Sequence, residues 1–138
     1  MKIYNSLKNE LEEFKPIEDG KVTMYVCGPT VYNYVHIGNM RPVITFDMVY
    51  KYLKYKGYEV KYASNFTDIN PKIISAAKEL GITEREVADK FIKAYLEDVA
   101  SYNCTDIDYR PTVIENLDNI FAFITKLIEK DYAYEVDG

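Results

Sequence analysis

Tryptophan is missing from this 138-residue chain, histidine occurs once and cysteine twice. The cysteines, Cys27 and Cys104, stand far apart with no Cys-x-x-Cys spacing, and no apolar leader segment precedes them. That usage fits a reduced compartment and argues against a disulfide-stapled fold. No stretch approaches the roughly 18 successive apolar residues that a membrane helix requires. The expectation is a soluble, cytoplasmic protein without a membrane partner. Positive charge is also in short supply: 17 basic and 22 acidic side chains leave a net charge of -5. The chain as a whole lacks the electrostatic footprint of a nucleic-acid binder, although a local basic patch stays open. What the chain does have is 48% hydrophobic residues, ordinary for one globular core, and 14 tyrosines. Tyr50, Tyr52, Tyr55 and Tyr58 alternate with Lys51, Lys54 and Lys56. This reads as an amphipathic helix with a tyrosine core stripe and a solvated lysine face.

The stretch that organises the chain runs from Cys27 to Asn39. It follows a strand pattern at 22–26, where Val22, Met24 and Val26 alternate with Thr23 and Tyr25, and it precedes a helical pattern over 40–56. A strand end meeting a helix start forms the crevice where open α/β sheets bind ligands. Pro42 is expected in the first helical turn and Gly57 just past the last. Residues 58–64 alternate again, giving a second strand and hence a parallel βαβ unit.

Before this unit, Lys2 to Asn5 reads as a short strand in a packed lead-in to the sheet, followed by an acidic segment and a turn at Gly20. After it, Asn65 to Pro71 forms another strand-to-helix turn, with Asp68 or Asn70 as N-cap of a helix ending before Gly81. Thr83 and Glu86 form a capping-box pattern, with Ile82 and Val87 as a hydrophobic staple. The apolar face that follows is Val87, Phe91, Ala94, Tyr95, Val99 and Tyr102. Thr112 and Glu115 repeat the capping box before a helix with Leu117, Ile120, Phe121, Ile124, Leu127 and Ile128 on one stripe. Ala133 to Val136 then reads as a strand, and Asp137 with Gly138 as a type I′ turn pair. A turn with no returning strand leads us to expect the amino-terminal piece of a longer protein.

His36 and Asn39 stand just before a helix start, where free N–H groups and the helix dipole favour phosphate. Taken alone, His36 could equally be a loop histidine, Gly38 a turn residue and Cys27 a small buried apolar group. The wider text narrows these alternatives. Cys27-Gly-Pro-Thr-Val-Tyr, His36-Ile-Gly-Asn-Met-Arg-Pro and Asn65-Phe-Thr-Asp fall in order at the ends of consecutive strands.

In these motifs, in the Tyr4-Asn-Ser-Leu opening and in Gly57-Tyr-Glu-Val-Lys-Tyr62, the chain resembles the amino-terminal part of cysteinyl-tRNA synthetases, class I aminoacyl-tRNA synthetases. The resemblance covers essentially the whole chain. It implies the first half of a doubly wound, Rossmann-like (HUP-type) α/β parallel sheet over residues 1–106, with residues 107–138 starting the connective insertion. It implies activation of L-cysteine by ATP with Mg2+, then transfer to tRNA(Cys), by a cytoplasmic monomer. His36, Gly38 and Asn39 match the ATP-contacting signature, with His36 and Asn39 as the catalytic pair. Cys27 matches the first zinc ligand, and Cys27, Gly28, Thr30, Asn65 and Thr67 line the cysteine pocket. A zinc ion would explain selection of cysteine over serine, because packing separates near-isosteres poorly whereas a metal prefers a thiolate.

The chain departs from the family text in three places. Asn70-Pro71 stands where an acidic pair is usual, Arg110-Pro-Thr-Val replaces Pro-Arg-Ala-Thr, and the remaining zinc ligands and the lysine-rich loop are absent. We therefore expect the chain by itself to be weak or inactive and not to bind zinc tightly. Two alternatives remain: a related ligase that joins cysteine to an amino sugar, and a non-catalytic nucleotide-binding remnant.

Overall fold

Alternation of apolar and polar residues sets the central pair of strands. Strand β3 (Lys21–Tyr25) and strand β4 (Glu59–Ala63) lie parallel, in register from Lys21 opposite Glu59 to Tyr25 opposite Ala63. Helix α1 (Ile37–Tyr55) connects them, as the βαβ pattern predicts. The structure, a computed structural model, describes residues 1–104 and 106–137. It is mixed α/β, with further helices α2 (Pro71–Leu80), α3 (Glu84–Ser101) and α4 (Leu117–Glu129). A one-turn 3-10 helix at Ile114–Asn116 leads directly into α4.

The lead-in differs from expectation. Strand β1 (Lys2–Asn5) pairs antiparallel with β2 (Glu10–Glu13), forming a hairpin of its own rather than an extension of the parallel pair. The acidic run hides this strand in the sequence. Its register sets Leu11 against Tyr4, and Asn9, at φ +58°, supplies the left-handed turn residue that asparagine tolerates.

Helix α1 begins three residues earlier than the helical pattern suggests. His36 caps it, accepting the Gly38 N–H on Nδ1 at 3.1 Å. Pro42 therefore lies inside the helix rather than in its first turn, and the Gly38 carbonyl loses its helical donor. The tyrosine stripe also fails to form. Tyr50 is buried, but Tyr52 is 45% exposed and Tyr55 84% exposed. Residues two and five positions apart do not share a helix face, so only Tyr50 joins Met40 and Leu53 inside.

Helices α2 and α3 follow the sequence closely. Asn70 caps α2 by accepting the Lys72 N–H at 3.0 Å, and Gly81 ends it at φ +67°. Thr83 and Glu86 complete the reciprocal capping box of α3. Val87, Phe91, Tyr95 and Val99 are buried with Ile73 and Ala77 of α2, and with Val31, Phe66 and Cys104. Tyr102, at the C-cap, is exposed.

The carboxyl-terminal part departs furthest. Segment 108–112 runs along β4 as an unanticipated third ribbon: Ser64 N–H donates to the Tyr109 carbonyl and Phe66 N–H to the Pro111 carbonyl, both at 2.9 Å. Thr112 makes only half of the expected capping box, accepting the Glu115 N–H at 3.3 Å. Helix α4 is amphipathic, yet none of its residues is buried. Ala133 to Val136 forms no strand, and the turn placed on Asp137 and Gly138 reaches outside the described residues.

Candidate functional site

Beyond their last paired residues, β3 and β4 remain tied together. Thr67 N–H donates to the Pro29 carbonyl at 3.0 Å, and Val31 N–H to the Thr67 carbonyl at 3.2 Å. Asn65 fixes the two loops between these points. Its Oδ1 accepts the Tyr25 hydroxyl at 2.8 Å and the Gly28 N–H at 2.9 Å, while its Nδ2 donates to Thr67 Oγ1 at 3.3 Å. The loop bearing Gly28 is thus pressed onto the loop bearing Asn65.

A cavity of about 360 Å³ opens at this edge. Cys27, Gly28 and Thr30 line it from the β3 loop, Asn39 from the first turn of α1, and Tyr62 and Ser64 from the β4 side. Four of the residues expected at a binding site therefore line one cavity. Asn65 and Thr67 stand behind its lining and hold its shape. His36 and Gly38 lie outside the lining: both are exposed, and the imidazole Nδ1 is occupied in capping α1. Cys104, the other cysteine, is buried in the helical core, where burial pushes its thiol pKa up.

Among the described residues, the cavity lining carries a single charged side chain, Lys72, and no carboxylate. Burial pushes the Tyr62 phenol up to about 12, against the opposing pull of the Arg110 guanidinium. Burial likewise raises Tyr95, again opposed by Arg110. Both phenols stay neutral near pH 7 and wall the cavity. Among the described residues, no group of three or more His, Cys, Asp or Glu side chains converges as a metal would require. Cys27 offers one ligand, and a closed zinc site needs several at once, so the described residues do not fit one.

Residues 13–138 match the family described as tRNA synthetases class I (C) catalytic domain. The chain belongs to this family. It is 61% identical over 136 residues to a cysteine-tRNA ligase of Bacillus licheniformis, a match that covers 99% of the chain and 29% of the relative. A cysteine-tRNA ligase of Bacillus pumilus is 60% identical over 136 residues, with the same coverage. One from Anoxybacillus flavithermus is 55% identical over 138 residues, covering 100% of the chain and 30% of the relative. The chain thus spans a little under a third of the length of these curated relatives. No helix among its described residues is long and apolar enough to cross a membrane.

In this class I synthetase chain the site contains residues that motif reading passed over. Tyr62 and Tyr95 were legible only as inward positions of a strand and a helix, and Tyr95 meets the cavity beside Phe66, against whose ring it packs edge-on. Lys72 carried no sequence signal of its own, and Tyr25 was legible only as a position in the β3 alternation.

Proposed function

We propose that the chain is the amino-terminal portion of a cysteine-tRNA ligase and supplies half of the site that converts L-cysteine and ATP to cysteinyl-adenylate. The observation that carries this reading is the cavity at the joined ends of β3 and β4, with Cys27, Gly28, Thr30 and Asn39 on its wall. In the reaction, a substrate carboxylate oxygen attacks the α-phosphate of ATP and pyrophosphate leaves. Most of the acceleration in such a step comes from alignment and from donors facing the developing charge. The Asn39 amide donates to phosphate oxygens without titrating. His36 and Gly38 belong to the same ATP-contacting turn, where His36 orders the first N–H groups of α1 and keeps its other ring nitrogen for phosphate. Gly28 and Thr30 bound the amino-acid pocket, and Asn65 and Thr67 set its outline. Cys27 is its thiol-bearing wall.

Mg2+ accompanies ATP as part of the substrate, tRNA(Cys) is the acceptor for the longer protein, and the working state is a cytoplasmic monomer. Residues 1–106 form the nucleotide-binding half and residues 107–138 the start of an insertion, whose first residues, 108–112, still pair with β4 and whose helix α4 has no buried residue. The test is calorimetric binding of ATP and of a non-hydrolysable cysteinyl-adenylate analogue, alongside cysteine-dependent exchange of pyrophosphate into ATP. Micromolar-range binding that Asn39→Ala abolishes supports the assignment. Binding of neither compound overturns it, and exchange above background eliminates a catalytically silent remnant.

A further inference from the structure

We propose that Lys72 is a ligand-contacting residue of the cavity, receiving an oxyanion of the bound substrates. The inference rests on the functional reading above. Among the described residues, every other side chain that lines the cavity is uncharged. None of the ion pairs among the described residues includes Lys72.

Its position within α2 works against it electrostatically. Lys72 follows Pro71 in the first turn, next to the cap Asn70, and that turn contains no acidic residue. A cation at the positive end of a helix dipole is disfavoured, and a carboxylate there is the usual choice. Sequence choices that oppose local stability concentrate where a ligand later compensates them. Here the compensation would be an anion placed between the two helix starts that border the cavity.

The side chain is also held in place. Lys72 Nζ lies 5.0 Å from the centre of the Tyr32 ring, and Tyr32 lines the same cavity. A cation over an aromatic face keeps its charge while giving up part of its hydration. Asn39, on the lining of the same cavity, contributes a neutral donor from α1. A carboxylate or phosphate between these groups would accept a charge-assisted bond from one side and an amide bond from the other.

Two sources supply such an oxyanion: the α-carboxylate of the amino acid and the phosphates of ATP. Binding measurements on Lys72→Met separate them. If the partner is phosphate, ATP weakens about tenfold or more while adenosine is unchanged, a loss typical of removing a charged hydrogen-bond partner. If it is the carboxylate, L-cysteine weakens by a similar factor while cysteinamide, which has no carboxylate, is unchanged. Lys72→Arg should recover part of either loss, and circular dichroism of the Met variant should match that of the parent chain. Unchanged binding of both anionic ligands by Lys72→Met overturns the inference and leaves the proposed function standing. A parent chain that binds neither ATP nor cysteine overturns both.

Discussion

The carbonyl oxygen of Asn65 lies so close to Gly28 that a β-carbon added at residue 28 would come within 1.6 Å of it. The obstacle is backbone, which no side-chain rotation relieves, so the constraint is one of space. Gly28→Ala is expected to separate the β3 and β4 loops, costing about 1–3 kcal/mol as overpacking does. Urea melts measure the cost, and binding of the cysteinyl-adenylate analogue should fall in the same variant. An alanine variant with the parent's midpoint and affinity would contradict this close approach.

Asn65→Ala removes the acceptor of the Gly28 N–H and the Tyr25 hydroxyl together. Leaving a part-buried donor unpaired costs about 1–3 kcal/mol. Asn65→Asp keeps the acceptor but gives up the donor to Thr67, so it should retain more stability than the alanine variant. The order of the two unfolding midpoints checks the assignment.

Asp68, one of the two candidate caps for α2 beside Asn70, caps a different element. Its Oδ1 accepts the N–H groups of Val113 at 2.8 Å and Ile114 at 3.1 Å, at the start of the 3-10 turn before α4. Asp68→Ala should destabilise by about 1–3 kcal/mol. Hydrogen exchange should accelerate at residues 113 and 114 while leaving the amides of α2 protected. Acceleration in α2 instead would contradict this assignment.

Tyr62 links stability to alkaline pH. Burial raises its folded pKa to about 12, above an ordinary value of 10.0. The folded state therefore favours the protonated phenol. That contribution is fully present below about pH 10 and is lost as pH climbs toward 12. Denaturant melts of the parent should lose stability across this interval more steeply than those of Tyr62→Phe. Parallel losses would show that Tyr62 does not titrate as described.

His36 serves helix α1 as a cap, and the functional reading gives its imidazole a second task at phosphate. Asparagine caps as well as most residues, so His36→Asn separates the two. The variant should keep its melting midpoint and lose several-fold in ATP affinity, whereas His36→Ala should lose both, including about 1 kcal/mol of stability. Unchanged ATP binding in both variants would restrict His36 to the cap.

Legibility followed the range of the interaction. The capping box of Thr83 and Glu86, the Asn70 cap and the Gly81 stop act within one helical turn, so spacing alone located α2 and α3. The same holds for the β3–α1–β4 unit, whose periods change at Gly57 and at the Cys27 loop. The tyrosine run misled because composition suggested a stripe that helical geometry does not support.

The order of residues along the chain thus determined the local elements, the parallel pair and the loop that carries Cys27, Gly28, Thr30 and Asn39. Only tertiary structure decided what stands opposite that loop. Asn65 reaches Gly28 and Tyr25, Asp68 reaches Val113, and segment 108–112 closes on β4, each across dozens of intervening residues. Such pairs leave no periodic trace in sequence, because their spacing is set by how helices pack across the sheet rather than by the repeat of any one element. Lys72 gained its place on the cavity wall in the same way, from the docking of α2 beside the β3 loop.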